Sequence, residues 1–281
     1  MTLRDFLEYG ESQLTSGPHP DRARRDAETL LLHLIGKNKA WLMAHANDDF
    51  AGCSAIRYAS LLERRVKGEP IQYIIGEAEF YGLPFRVTPD VLIPRPETEH
   101  LVEKCLALAA QLAPRPRLLD VGCGSGAIAI AFAKHLPEAI ITAADISERA
   151  LAVACENARR NEVTLRFLQG DLLAPVAGER FELIVSNPPY VPATDRDSLA
   201  VEVRDHEPSV ALYAGDGGLE IYRRLIPQAF SALVPGGFIA LEIGYAQQPS
   251  IHRLLADTGF TNIEFTQDLQ NIPRVAIAQR N

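Results

Sequence analysis

The chain has 281 residues, of which 28 are Lys or Arg and 36 are Asp or Glu, so its formal net charge at pH 7 is −8. A hydrophobic fraction of 47% and a charged fraction of 23% are ordinary for a globular protein and exclude a disordered chain, a collagen and a disulfide-built miniprotein. The length is closer to that of a two-domain protein than to that of a single domain. The acidic balance disfavours nucleic-acid binding through phosphate neutralisation, because the chain has no excess of cations.

Several common signatures are missing from the sequence. It contains no apolar run of about 18 residues, and its charged, amphipathic start does not resemble a signal peptide. The four cysteines are far apart and form no C-x-x-C pair, so we expect reduced thiols, no metal site and a cytoplasmic protein. The motifs of zincins, P-loop NTPases and α/β-hydrolases are also missing.

The first 75 residues predict a small helical domain. Leu3, Phe6, Leu7, Gly10 and Leu14 follow the spacing of one helix face, and further helices are predicted over 21–35, 41–46 and 56–66. This region holds 10 basic and 10 acidic residues and is neutral, so the rest of the chain holds the whole charge of −8.

Residues 76–96 predict a β-hairpin that turns near Gly82 and links the helical domain to a second domain over 97–281. In the second domain, helical patterns separate the first five of seven apolar strands, which predicts a mostly parallel, Rossmann-like α/β sheet. The last two strands lack a helix between them, so they predict an antiparallel edge pair. The predicted strands are 117–121, 139–144, 164–169, 181–186, 238–243, 263–267 and 274–279.

A glycine-rich loop follows the first strand of this domain. The sequence Asp120-Val-Gly-Cys-Gly-Ser-Gly leads from the strand into a helix, and its glycines permit a tight turn and the close approach of a ligand. A turn without a ligand is one alternative. A dinucleotide site is another, because Gly122, Gly124 and Ala127 fit G-x-G-x-x-[GA]. Asp120 favours a cationic ligand over a pyrophosphate.

Acidic residues follow the next two strands. Asp145 ends the second strand, where a carboxylate can accept both hydroxyls of a ribose in an NAD or an adenosyl cofactor. The alternative is that Asp145 caps the helix that begins at Ser147 or Glu148. After the third strand, Asp171 could accept from the amine of an adenine and Leu172 could pack on its ring, although a loop Asp without a role is an equal alternative.

The tetrad Asn187-Pro188-Pro189-Tyr190 follows the fourth strand. In a doubly wound sheet whose order reverses between the first and fourth strands, the tetrad and the glycine loop are neighbours. The prolines remove two N–H donors, which leaves the Asn187 side-chain oxygen and the Pro188 carbonyl as acceptors for a planar NH2 group. The Tyr190 ring offers a face on which an amide or a base can stack.

These groups suit methylation of an amide nitrogen. Such a nitrogen is a poor nucleophile, because its lone pair is delocalised into the carbonyl. Two acceptors that hold both hydrogens would orient the nitrogen and stabilise the positive charge that develops on it. A loop that merely needs prolines is the alternative.

With these motifs the chain resembles class I S-adenosylmethionine-dependent methyltransferases. The segments that begin at Phe80, Glu207, Gly215 and Leu241 narrow the resemblance to peptide chain release factor N(5)-glutamine methyltransferases. The resemblance implies S-adenosylmethionine as cofactor and, as substrate, the glutamine of the Gly-Gly-Gln loop in class 1 release factors. It also implies that the helical domain recognises the substrate.

The resemblance also implies roles for individual residues. The cofactor would contact Gly122, Cys123, Gly124, Ser125, Gly126, Asp145, Asp171, Leu172 and Asn187. The substrate pocket would consist of Asn187, Pro188, Pro189 and Tyr190, with Asn187, Pro188 and Tyr190 as the catalytic residues. Arg95 and Glu97 would order the pocket wall, or else form a structural ion pair.

Three alternatives remain at this point. A DNA adenine methyltransferase can use the same tetrad on a flipped base, but the acidic second domain disfavours it. An enzyme that methylates a glutamine of a ribosomal protein shares the tetrad, but Pro94-Arg-Pro-Glu-Thr-Glu favours the release-factor enzyme. A binding module without catalytic activity is disfavoured by the intact tetrad and glycine loop. We expect a monomer without nucleic-acid or membrane partners.

Overall fold

A computed structural model describes residues 1–50, 52–112 and 114–281. The chain divides into two compact units. The first comprises Met1–Glu77 and Leu199–His206, and the second comprises Ala78–Ser198 and Glu207–Asn281. Residues 199–206 join the helical unit although the sequence pattern placed them in the second domain. No helix within the described ranges is long and apolar enough to cross a membrane.

The first unit is helical, and its core contains the predicted helix face of Leu3, Phe6, Leu7 and Leu14. Gly10 allows close packing there, since an added Cβ would lie 2.1 Å from the Tyr58 hydroxyl. A fifth helix, which the sequence analysis missed, follows Pro70. The helices are α1 Leu3–Leu14, α2 Ala23–Ile35, α3 Lys39–Ala44, α4 Cys53–Val66, α5 Ile71–Ile75 and, in the returning segment, α9 Val201–Arg204.

A two-stranded hairpin, β1 Glu77–Phe80 and β2 Leu83–Arg86, turns at Gly82 as predicted. The second unit then forms a seven-stranded sheet with helices on both faces. Its strands are β3 Arg117–Val121, β4 Ile140–Asp145, β5 Arg166–Gln169, β6 Phe181–Ser186, β7 Leu233–Glu242, β8 Phe260–Gln267 and β9 Pro273–Arg280. Its helices are α6 Pro96–Ala109, α7 Ala127–His135, α8 Glu148–Arg160, α10 Ser209–Leu212, α11 Glu220–Ala232 and α12 Gln248–Thr258.

The sheet order is β5-β4-β3-β6-β7-β9-β8. The predicted reversal is confirmed, because β3 pairs in parallel with both β4 and β6. The predicted antiparallel pair at one edge is also confirmed, as β8 pairs with β9. One detail was wrong: between β5 and β6 there is only a 3-10 helix, Ala174–Val176, because Pro175 and Gly178 interrupt a short connection.

Candidate active site

A cavity lies at the carboxyl ends of β3, β4 and β6, where ligands bind in open α/β sheets. It has a volume of about 1180 Å³, including its open mouth. Three predicted segments meet here: the glycine loop after β3, the end of β4 and the first three residues of the tetrad after β6, whereas Tyr190 is not among the described residues that line the cavity. The predicted residues that line the cavity are Arg95, Gly122, Cys123, Gly124, Ser125, Asp145, Asp171, Leu172, Asn187, Pro188 and Pro189.

The three glycines of the loop differ in what surrounds them. Gly122 and Gly124 have φ values of +73° and +53°, and a Cβ on either would meet no atom within 4 Å. Their missing side chains therefore leave a cradle for a ligand. Gly126 does not line the cavity, and a Cβ there would lie 3.1 Å from the Ala154 Cβ. Gly126 therefore allows close packing against α8, and its predicted cofactor contact stays a prediction.

Asn157, which the sequence analysis missed, holds the glycine loop in place. Its side-chain Nδ2 donates to the Ser125 carbonyl at 2.9 Å and to the Arg86 carbonyl at 3.0 Å. Its Oδ1 accepts from the Arg86 backbone N–H at 2.7 Å. Asn157 is fully buried, so these bonds satisfy an amide that would be costly to bury alone. One side chain thereby joins α8, the hairpin and the loop.

Asp145 ends β4 and faces the cavity. One carboxylate oxygen accepts from the Gly124 N–H at 2.8 Å, and the other accepts from the Ser147 N–H at 2.8 Å. Helix α8 is capped by the Ser147 side chain, so Asp145 is not its N-cap. Burial raises the pKa of Asp145, although the two N–H donors oppose this. Each oxygen retains a second lone pair with which it can accept a ligand hydroxyl.

Asp120 lies beneath the glycine loop and does not line the cavity. The residue is 1% exposed, its Oδ2 accepts from the Ala129 N–H at 3.1 Å, and its Oδ1 has no partner among the described residues. Burial raises the pKa of Asp120 to about 7. The carboxyl is therefore partly protonated at neutral pH, which weakens the argument that its charge repels a pyrophosphate.

Asp171 and Leu172 lie at another part of the cavity wall. The exposed Asp171 carboxylate forms an ion pair with Arg224, which comes from α11 and also lines the cavity. Leu172 is half-buried and has a φ of +52°. A positive φ is unfavourable for a leucine, and such strain is often found at ligand sites.

The tetrad belongs to a buried hydrogen-bond network that the sequence analysis missed. The Thr98 hydroxyl donates to Glu242 Oε2 at 2.6 Å and accepts from Asn187 Nδ2 at 3.1 Å. The Tyr190 hydroxyl donates to the other oxygen of Glu242 at 3.2 Å. Glu242 was visible in the sequence only as part of Leu241-Glu-Ile-Gly, and Thr98 only as part of Pro94-Arg-Pro-Glu-Thr-Glu.

This network determines which way the Asn187 amide faces. A hydroxyl has one hydrogen, and Thr98 donates it to Glu242 Oε2. Towards Asn187 it can then only accept, which requires the Nδ2 side of the amide. Asn187 Oδ1 is left as the acceptor end. Burial raises the pKa of Glu242, while hydrogen bonds from Thr98 and Tyr190 lower it.

Arg95 and Glu97 are at the start of α6. Arg95 lines the cavity, and its Nη2 lies 2.7 Å from both carboxylate oxygens of Glu207, which is buried. The ion pair of Arg95 is therefore made with Glu207, a residue that the sequence analysis had noted only within a motif. Glu97 is not among the described residues that line the cavity.

Two family models match the chain. The Methyltransferase small domain matches residues 99–204, and the PrmC N-terminal domain matches residues 5–76. With the seven-stranded sheet and the cavity, they define a class I methyltransferase. S-Adenosylmethionine is the cofactor of this class, and the glycine cradle and the Asp145 carboxylate fit an adenosyl group bound in the cavity.

Curated relatives identify the family. A release factor glutamine methyltransferase from Koribacter versatilis is 41% identical over 100% of this chain and 99% of its own length. One from Geobacter sulfurreducens is 39% identical over 98% of this chain and 95% of its own length. The chain therefore belongs to the release factor glutamine methyltransferase family and is an S-adenosylmethionine-dependent methyltransferase.

Solved structures show the same fold. The ribosomal protein L11 methylase from Lactobacillus delbrueckii subsp. bulgaricus is 27% identical, with a TM-score of 0.51, and the match covers 70% of this chain and 86% of that one. The 16S rRNA N2 G1207 methyltransferase from T. thermophilus is 19% identical, with a TM-score of 0.55, and the match covers 73% and 50%.

Proposed function

We propose that the enzyme transfers a methyl group to the side-chain amide nitrogen of the glutamine in the Gly-Gly-Gln loop of class 1 release factors. The names of the relatives support release factors as substrates. The orientation of the Asn187 amide is the observation in the site that supports an amide nitrogen as the acceptor. A release-factor substrate supports a cytoplasmic enzyme, and the monomeric state stays a prediction.

The cofactor would be held by the glycine cradle and by Asp145. Backbone groups around Gly122 and Gly124 can approach it closely, and the Asp145 carboxylate can accept the ribose hydroxyls. Leu172 would pack near the adenine, and Asp171, oriented by Arg224, would accept from its exocyclic amine. When bound, S-adenosylmethionine supplies an electrophilic methyl group on a sulfonium cation; transfer would break the sulfur–methyl bond, leave S-adenosyl-L-homocysteine, and release one proton from the methylated nitrogen.

The tetrad would hold the substrate amide. Asn187 Oδ1 and the Pro188 carbonyl would each accept one hydrogen of the glutamine NH2, which orients the nitrogen towards the methyl carbon. The same two acceptors would stabilise the positive charge that develops on nitrogen. Positioning and electrostatic stabilisation would therefore account for the acceleration of methyl transfer. Tyr190, held through its hydroxyl by Glu242, would present its ring to the planar amide, and Pro189 would close the pocket wall.

The test is methylation of purified release factor with methyl-labelled S-adenosylmethionine. We expect label on the wild-type release factor and none on a variant in which the glutamine of the Gly-Gly-Gln loop is replaced by glutamate, which has the same shape but no NH2 group. Label that persists on the variant would refute the assigned glutamine. Parallel incubations with ribosomal proteins and with duplex DNA test the two alternative acceptors.

A further inference from the structure

The chain crosses between the two units more than once. After the tetrad it continues through a 3-10 helix, Ala193–Ser198, and residues 199–206 then belong to the first unit. It returns to the second unit at Glu207. The segment that follows the tetrad is therefore built into the helical unit, although the family model for the methyltransferase domain extends to residue 204.

A partly buried ion cluster anchors this segment within the first unit. Arg65 is 3% exposed, and its Nε donates to Asp26 Oδ2 at 2.6 Å, while its Nη1 donates to Glu202 Oε2 at 3.0 Å. The other oxygen of Glu202 accepts from Arg22 Nη1 at 3.2 Å. Burial raises the pKa of Glu202, but Arg65, His19 and Arg22 together hold it below its ordinary value, so the carboxylate stays charged at neutral pH. Asp26, Arg65 and Glu202 together are the Arg65 cluster.

The backbone next to this cluster is packed just as closely. Gly68 has a φ of +89°, and a Cβ added there would lie 2.7 Å from Val201 Cγ1. Val201 and Glu202 are adjacent in α9, so one contributes packing and the other contributes charge. Two independent contacts thus hold α9 in the helical unit.

Within the second unit, the residues just before and just after segment 199–206 are bonded to other residues of that unit. On the tetrad side, Val191 pairs with Tyr213, and the Ala193 N–H donates to the Gly215 carbonyl at 2.8 Å. After the segment, Glu207 accepts hydrogen bonds from Arg95, which lines the cavity. These bonds keep the tetrad in place independently of α9, so loosening α9 should leave the chemistry of a small substrate intact.

We propose that Glu202 is a positioning residue for the protein substrate, through which the helical unit contributes to its recognition. The inference rests on the proposed function. With the Arg65 cluster intact, residues 199–206 are held within the helical unit. Without the anchor, residues 199–206 would be loosened within the helical unit, and a release factor that binds this unit would have to order them on binding, at a cost in affinity. A short peptide that fills only the cavity would not bear this cost.

The test compares Glu202→Gln with wild type on intact release factor and on a short peptide containing Gly-Gly-Gln. We expect the KM for the release factor to rise about tenfold, equivalent to about 1.4 kcal/mol, with kcat and the KM for the peptide unchanged. Val201→Ala loosens the same helix without removing a charge, and should raise the KM for the release factor in the same direction.

Glu11→Gln is the matched control. It makes the same change of carboxylate to amide in the same unit, where Glu11 pairs with Arg24 and not with α9. An unchanged KM for the release factor in Glu202→Gln, or an equal rise for release factor and peptide, would overturn the inference while the proposed function stands. A wild-type enzyme that labels neither substrate would overturn both.

Discussion

Replacement of Thr98 by valine tests whether the orientation of the Asn187 amide matters for catalysis. Thr98 is 4% exposed, and valine has nearly the same shape, so the change removes two hydrogen bonds without leaving a cavity. Asn187 loses the acceptor that distinguishes its two ends, and Glu242 loses a buried donor. A lost bond with an unsatisfied buried partner costs about 1–3 kcal/mol. If the activation free energy of methyl transfer rises by this amount, kcat decreases roughly 5- to 150-fold.

The assay is single-turnover methylation of release factor at saturating S-adenosylmethionine, with cofactor affinity measured by calorimetry. Thr98→Ser is the control, because it keeps the hydroxyl and should retain most of the rate. The Thr98 bond also lowers the pKa of Glu242, so its loss in Thr98→Val raises that pKa and moves the acid limb of the rate profile to higher pH. Equal rates in the valine and serine variants would refute the assigned orientation.

Three further predictions concern two residues of the cavity wall and one buried beneath it. Asn187→Ala should decrease methyl transfer at least about 100-fold while the melting temperature stays near that of wild type, and a near wild-type rate would remove its proposed role. Asp145→Ala should weaken S-adenosylmethionine binding at least about tenfold, measured by calorimetry, with a smaller effect on melting of the apo protein. Asp120→Asn should flatten the pH dependence of stability. The folded pKa of Asp120 is about 7 and its ordinary value is 3.8. The contribution of Asp120 to the free energy of unfolding is therefore fully present below pH 4 and is lost as the pH rises to 7. The loss is up to about 4 kcal/mol, and parallel denaturant midpoints for variant and wild type between pH 4 and 8 would contradict it.

Local patterns account for what could be predicted. Alternating strand and helix periodicities predicted the parallel sheet, because residues two or four apart in sequence share a face of a regular element. The reversal beside β3 placed the glycine loop and Asn187 at one edge, since the carboxyl ends of neighbouring parallel strands lie together. Composition added the division between a neutral helical part and an acidic part.

Contacts between distant residues account for what could not be predicted. Thr98 and Glu242 are 144 residues apart, and no periodicity connects a helix N-terminus to the end of a strand far along the chain. The same holds for Asn157, whose contacts with Arg86 and Ser125 depend on how α8 packs. The sequence also could not distinguish Gly126 from Gly122, because only the position of Ala154 makes one a packing residue.

The sequence by itself therefore determined the type of sheet, the edge of the sheet at which the cavity lies and the position of the tetrad beside the glycine loop. Only the tertiary structure decided the direction of the Asn187 amide, the protonation of Asp120 and the inclusion of residues 199–206 in the helical unit. The physical reason is the range of the interactions. Backbone geometry and amphipathic patterning are encoded by neighbouring residues, whereas hydrogen-bond polarity, burial of a carboxyl and ion clusters depend on groups that only folding brings together.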